Sequence, residues 1–319
     1  MKQLTNIKNF SRKVREFGLF IPLSNLLLTY GRKLPSSFSK RIATKRNGLI
    51  QKKLFKLIGN SITDHQEAIS SCYEPNAPIW FYWMQGEKNM PPIPELCLNS
   101  LRKHANGHPV IFLDADNVNQ YVNIPFEIAK AYQTGKLKQA HYADIIRILL
   151  LAQHGGLWMD ATLLVTQDIP ETIFQTPFYS IKTKEFGYFV SRCRWSVFCL
   201  AGWKHNILFE KLSECFAAYF KQKDVMIDYF MFDQLIDILY NEHREIRNMI
   251  DQVPYSNPEV HSLNRLLLNN FNEHIYKQLT ENTFLFKLSW KSYSKEDLMA
   301  TSNNFFNYMK NYNRNSQSQ

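Results

Sequence analysis

The chain of 319 residues lacks any run of 18 consecutive apolar residues, so no segment reads as a membrane-spanning helix. Glycine (11) and proline (13) are too sparse for a collagen-like or linker-dominated chain. Cysteine is scarce as well. Cys72, Cys97, Cys193, Cys199 and Cys215 are odd in number and contain no CxxC pair, which argues against a disulfide framework or a cysteine-based zinc site. The first ten residues hold no apolar stretch followed by a small-residue cleavage site, so cytoplasmic residence is the expectation. Acidic residues are nearly missing from the first sixty positions, where Glu16 stands alone against 14 Lys and Arg. The remaining residues carry 24 Lys and Arg against 27 Asp and Glu, so the formal charge of +10 belongs to an N-terminal arm and not to the body.

What is present is an ordinary globular composition. At 45% hydrophobic and 21% charged, the chain has apolar surface enough for a large core. The arm, residues 1–60, reads as basic amphipathic helix. One stretch, from Ser11 to Leu34, reads as one helix or a pair of them with a kink expected at Pro22, and a second runs from Ser39 to Ile58. Basic amphipathic helices bind anionic membrane surfaces, so the arm is expected to contact one, on the inner face of the cell membrane. The competing reading is that its apolar faces pack on the core. Nucleic acid is not the expected partner, because aromatic interleaving is slight and the body adds no excess basic charge.

The body, 61–300, alternates strand and helix patterns. After a polar stretch from Asn60 to Ala77, Pro78–Trp83 is a bulky run expected to be a buried strand. A helix follows from Glu95 to His104, then a strand Pro109–Leu113, then a helix Ala140–His154 stopped by Gly155-Gly156, then a strand Leu157–Met159 continuing extended through Leu163–Val165. An α/β class is therefore predicted. Beyond Phe178 the pattern shifts to an extended run at 196–201 and helices at 206–220 and 228–240, a helical C-terminal portion. Residues 301–319 are rich in Asn, Ser and Gln and are expected to form a polar, flexible tail.

The chemistry concentrates between Ala140 and Thr162. Asp144 and Arg147 share a helix face at i,i+3 spacing, the glycine pair reverses the chain, and the next strand delivers Asp160 at its exit, where ligands of open α/β sheets sit. Carboxylates and a guanidinium would then converge on one crevice suited to sugar hydroxyls and phosphate. Alone, an i,i+3 ion pair and a Gly-Gly turn are also what an ordinary surface helix and reversal look like. Asp114-Ala115-Asp116 is a literal DXD, but Asp-rich turns after strands are common because Asp satisfies local backbone groups.

The pattern Asp144, Arg147, Gly155-Gly156 and Asp160 resembles the capsular polysaccharide synthesis glycosyltransferases, relatives of the DXD sugar-binding glycosyltransferases. Three outer pieces agree: Ile79–Gly86, Ile227–Asp233 and Lys287–Lys291. The likeness covers roughly Pro78 to Lys291. It implies a GT-A-like, Rossmann-type nucleotide-sugar-binding domain. It also implies transfer of a hexosyl or N-acetylhexosaminyl group from a nucleoside diphosphate sugar to a polysaccharide or lipid-linked intermediate, by a retaining path. It places Asp160 at the first Asp of the DXD, with Asp228 and Asp233 toward the acceptor as further catalytic candidates. Donor binding would fall to Trp83, Gln85, Gly86, Asp144, Arg147, Gly156, Asp160, Lys287 and Lys291. From the residues alone, Trp80, Trp83 and Trp158 lie in apolar runs and read as core, whereas Trp195, Trp203 and Tyr229 lie among polar residues where a ring can stack on a sugar.

One departure bears on the cofactor. Position 162 is Thr, where the DXD pattern has its second carboxylate. A hydroxyl is a poor ligand for Mg²⁺ or Mn²⁺. Either Asp160 holds a divalent cation with water and phosphate oxygens, or cations among Arg147, Arg192, Arg194, Lys287 and Lys291 take its place. Two rival functions stay open at this point: a sugar-phosphate transferase in capsule assembly, and a non-catalytic membrane-bound scaffold with a degenerate donor pocket.

Overall fold

The computed structural model describes residues 2–30, 36–64, 72–183 and 189–314. Three helices open the chain: α1 (Lys2–Phe17), α2 (Phe20–Tyr30) and α3 (Ser36–Thr63). The expected kink at Pro22 falls instead at Gly18, whose φ of 81° ends α1, and Pro22 sits in the first turn of α2, where its missing N–H is not needed. A five-stranded sheet follows, built from β1 (Ile79–Tyr82), β2 (Val110–Leu113), β3 (Gly156–Met159), β5 (Phe178–Ser180) and β6 (Cys199–Gly202). Its order is β2-β1-β3-β6-β5, parallel across β2, β1 and β3 and antiparallel across β3, β6 and β5. A separate ribbon pairs β4 (Leu163–Val165) with β7 (Leu285–Lys287).

The helices between and after these strands are α4 (Pro92–Lys103), α5 (Phe126–Gln133), α6 (Gln139–His154), α7 (Ile207–Gln222), α8 (Met231–Glu242), α9 (Arg244–Asp251), α10 (Glu273–Thr280), α11 (Lys295–Met299) and α12 (Phe305–Arg314). The α/β class stands, and the strands read from bulky apolar runs are found close to where they were expected. The glycine pair after α6 is required by space as well as by φ. A Cβ on Gly156 would lie 2.2 Å from the Pro78 carbonyl oxygen, and one on Gly155 would lie 2.4 Å from the Lys204 nitrogen. The Trp80 indole closes this corner by donating to the Gly155 carbonyl at 2.8 Å.

Two boundaries differ from expectation. Within residues 1–60, Phe17, Ile21, Ile50, Leu54 and Ile58 are buried in the main core, as the competing reading of the arm has it, and α3 runs past residue 60 to Thr63 and packs on α7 and α8. The apolar stripe of α3 outweighs its charge, because one face buries while the cations stay on the other. The tail differs too. α12 buries Phe305, Phe306 and Met309 and packs on α4, so the polar composition around it hid an apolar face. The last five residues of the expected tail lie outside the described residues.

Candidate active site

β1, β2 and β3 run parallel and therefore end at one edge of the sheet, and antiparallel β6 begins there. This edge gathers Trp83–Gly86 after β1, Asp114 after β2, Asp160 after β3, and Val197 and Phe198 before β6. α6 returns to β3 through the glycine turn, which brings Arg147 over the same edge. The Arg147 guanidinium meets Asp160 at 3.0 Å and Asp144 at 3.2 Å and donates to the Val197 carbonyl. It lies 5.0 Å from the Trp158 ring and 5.6 Å from the Phe232 ring, so it is held between aromatic faces.

Asp160 is the centre of this cluster. Its Oδ1 accepts from the Trp158 indole at 2.9 Å and from Arg147, and its Oδ2 accepts from the Lys287 ammonium at 2.7 Å. Lys287 is delivered by the register of β4 and β7, where Leu163 faces Lys287, and its ammonium lies 5.0 Å from the Phe198 ring. Burial pushes the Asp160 carboxyl up, but the Lys287 and Arg147 charges with the hydrogen bonds of Lys287 and Trp158 outweigh it and hold the group below its ordinary value. Asp144 and Asp233 go the other way. Burial raises each to about 6, against the attraction of Arg147 and, for Asp233, a 2.9 Å bond from the Trp195 indole. The cluster thus holds one fixed carboxylate and two carboxyls that take up protons near neutrality.

Trp83 and Trp290 form an adjoining wall, their rings edge to face at 5.6 Å, with the Lys291 ammonium 5.2 Å from the Trp290 ring. The Trp83 indole nitrogen is buried and donates to nothing among the described residues, an open donor beside the carboxylate cluster. Gln85 is exposed at the same edge, and Gly86 takes φ 81° there with Asp114 Oδ2 3.7 Å from where a Cβ would stand. Tyr229, more than half exposed, stands edge-on to His141 at 5.0 Å. Asp114 behaves as a turn residue: its Oδ1 accepts from the backbone of Asp116 and Asn117 at 2.9 and 3.1 Å.

Several expected site residues stand elsewhere. Gly156 opens β3, at the opposite end of that strand from Asp160, and serves the turn. Asp228 is fully buried and paired with Arg46 of α3, so it faces no acceptor. Arg194 pairs with Asp237 and Arg192 lines a separate cavity of about 280 Å³ beside α3, so neither reaches Asp160. Trp203 donates to the Phe174 carbonyl away from the cluster, and Trp195 is buried, reaching the site only through Asp233. Phe198 and Trp290 were not anticipated. Trp290 lies inside the Lys287–Lys291 run, which was the available signal, whereas Phe198 owes its place to the pairing of β6 with β3.

A resident divalent ion at this edge would have to be held by Asp160 and Thr162. Both Asp160 oxygens already accept from an indole and two cations, Thr162 is buried, and no group of three or more His, Cys, Asp or Glu suited to a metal occurs among the described residues. These residues do not fit a bound Mg²⁺ or Mn²⁺.

Comparison with known proteins adds an independent finding. The family described as capsular polysaccharide synthesis protein matches residues 32–309. A stretch of 93 residues is 31% identical to the O-glycosyltransferase braB of Annulohypoxylon truncatum, covering 26% of this chain and 22% of that protein. The chain therefore matches less than a quarter of that relative's length. Among solved structures, PaToxG Glycosyltransferase aligns over 80% of this chain and 94% of its own, with 16% identity and a TM-score of 0.39.

Proposed function

The chain belongs to the capsular polysaccharide synthesis protein family, and on that premise we propose that it is a glycosyltransferase that takes a hexosyl or N-acetylhexosaminyl group from a nucleoside diphosphate sugar, in a GT-A-like domain, to a glycan acceptor. The acceptor is a lipid-linked polysaccharide intermediate, and the protein works as a peripheral protein on the inner face of the cell membrane. The observation that carries the reading is the Asp160 clamp. At the exit of β3 one carboxylate fixes Arg147 and Lys287 in place, beside the open Trp83 N–H and the Trp290–Lys291 wall.

Breaking the sugar–phosphate bond builds negative charge on the departing diphosphate. Cations held in a partly desolvated crevice stabilise that charge without reorganising at the moment of reaction. Lys287, Arg147 and Lys291 supply this role, and Asp160 keeps the first two oriented. The charge work is therefore assigned to side chains, in keeping with a donor set unsuited to a divalent ion. Asp144 and Asp233, protonating near pH 6, are placed to hold sugar or acceptor hydroxyls. Neither is positioned as a committed anionic nucleophile, which favours front-face attack with retention, the departing phosphate taking the acceptor's proton.

The test incubates purified full-length protein with a panel of nucleotide sugars and glycan acceptors, with Mn²⁺, Mg²⁺ or EDTA, and identifies the released nucleotide by mass. Nucleoside diphosphate release that survives EDTA is expected, with losses of about 100-fold in Asp160→Ala and Lys287→Ala. Monophosphate release would replace this reading with sugar-phosphate transfer. Donor binding without release from any donor would replace it with a scaffold.

A further inference from the structure

The N-terminal hairpin leaves an apolar face uncovered. Of the five strongly exposed leucines among the described residues, four are Leu19, Leu23, Leu26 and Leu27, at 57%, 41%, 43% and 42% exposure. Leu19 caps the start of α2, its carbonyl accepting from the Leu23 N–H at 3.1 Å. At about 100° per residue the four fall within one arc of the helix, opposite the buried Ile21 and Ser24. Scattered exposed leucines need no explanation, but four on one face of a short helix do.

α3 carries a matching face. Ala43, Arg46, Ile50 and Leu54 are buried on one side. On the opposite side, at helical spacing, stand Phe38, Arg41, Lys45, Lys52, Phe55 and Lys56, with both phenylalanines exposed. α2 and α3 pack together, and the Lys45 ammonium lies 5.3 Å from the Phe20 ring at the far end of the pair. The helices therefore run antiparallel, and Phe38 comes level with the end of α2 that carries Leu26 and Leu27. Leucines, exposed phenylalanines and four cations thus share one hairpin that carries no acidic residue. No helix among the described residues is long and apolar enough to cross a membrane, and α2 has only 11 residues.

We infer that the outer face of the α2–α3 hairpin is a docking surface for an anionic lipid bilayer, into whose headgroup region Leu19, Leu23, Leu26 and Leu27 insert while Arg41, Lys45, Lys52 and Lys56 pair with lipid phosphates. The inference rests on the peripheral-membrane part of the proposed function and not on its transfer chemistry. A purely electrostatic partner would have no use for the leucines, and a second protein chain burying only apolar surface would leave the row of cations unpaired. A bilayer with anionic headgroups uses both. The hairpin is anchored to the body by the buried stripe of α3, so the surface is presented rigidly and insertion does not require the core to open.

The experiment is flotation of the full chain with vesicles of phosphatidylcholine alone or of phosphatidylcholine with phosphatidylglycerol. Two variants accompany the parent: Leu23→Asp with Leu27→Asp, and Arg41→Glu with Lys45→Glu and Lys52→Glu. The parent is expected to float with the anionic vesicles only, and each variant to lose partitioning by at least about tenfold, with unchanged thermal melts and unchanged nucleotide release in vesicle-free solution. A parent that stays at the bottom of the gradient, or variants that float as well as the parent, overturns the inference. So does a parent dimer that the leucine variant converts to monomer without any change in flotation, because a second copy would then be the occupant. Nucleotide release is read on the same preparations, so loss of flotation leaves the transferase reading standing, and absence of release leaves the docking result standing.

Discussion

Asp228 and Asp233 lie five residues apart and perform different work. Asp228 is sealed against Arg46, and each partner keeps one atom without a hydrogen bond, Asp228 Oδ2 and Arg46 Nε. Removing one charge from such a pair strands the other, at a cost of about 3–5 kcal/mol. Asp228→Asn is accordingly expected to lower unfolding free energy by that order in urea titrations, and Asp228→Leu with Arg46→Met to recover most of it. A variant that loses turnover while keeping full stability would restore Asp228 to the chemistry. Asp233 is expected to leave its mark on pH dependence. Burial raises it and Asp144 to about 6, so the folded state holds these protons more tightly than the unfolded chain. Their contribution to stability is present in acid and is lost as pH rises through about 6. His141 opposes them: burial lowers it to about 4, so its contribution is present above the ordinary imidazole range and is lost as pH falls toward 4. Asp160, held low, likewise loses its contribution only in acid. Asp233→Asn removes one group whose ionisation is penalised. Its melting temperature relative to the parent should climb between about pH 4 and about pH 6.5 and level off above, and parallel pH curves for the two proteins would contradict the buried-carboxyl account.

The elements show what a sequence discloses and what it hides. The α6–turn–β3 unit was legible, because apolar periodicity, a glycine pair and a bulky strand agree with one another and the backbone geometry demands each of them. Gly156→Ala tests this directly: with φ at 95° and the Pro78 oxygen 2.2 Å from the new Cβ, a loss of about 3 kcal/mol or more is expected in thermal or urea unfolding. Asp160, Asp144 and Arg147 were also legible as a set, since i,i+3 spacing and a strand exit are local features, whereas Lys287 joins them through the pairing of β7 with β4 and was expected only from the family resemblance. Phe198 and the open donor of Trp83 were not, because they depend on which strands pair. α12 was missed for another reason. Phe305, Phe306 and Met309 supply an apolar i,i+1,i+4 face, but asparagine and serine around them dominate the composition. Phe306→Ala is expected to destabilise by about 3–5 kcal/mol, as for other fully buried aromatic side chains. An effect near zero in the same unfolding measurement would return residues 301–314 to the status of a loose tail.

At the scale of the whole molecule, charge and packing divide the first sixty residues between two tasks. Their net positive charge is that of a basic arm, and the outer face of α2 and α3 has that character. The inner face does not. α3 sends Ile50, Leu54, Ile58 and Ile62 into the core, and its Gln51 and Asn47 bond to Asp237 and Gln234 of α8 at 2.7 and 3.0 Å. α1 is tied down in turn by Lys223 to Glu16 at 2.6 Å and by an Arg12–Asp224 pair. Four buried aliphatic side chains that precede residue 60 in α2 and α3, Ile21, Ile50, Leu54 and Ile58, at about 1.5–3 kcal/mol each amount to about 6–12 kcal/mol, which is comparable to the whole stability of an ordinary domain. A chain starting near Asn60 is therefore expected to aggregate or to melt at least about 10 °C below the parent, although every residue of the candidate active site remains. Charge reversal at Arg41, Lys45 and Lys52 also strips positive character from the same region, though less of it, and should leave the melt unchanged, because those side chains face solvent. Near-UV circular dichroism and thermal melts of the two proteins side by side decide the point. A cooperative, parent-like melt for the truncated chain would mean that the body folds without α3 and that residues 1–60 are an appendage after all.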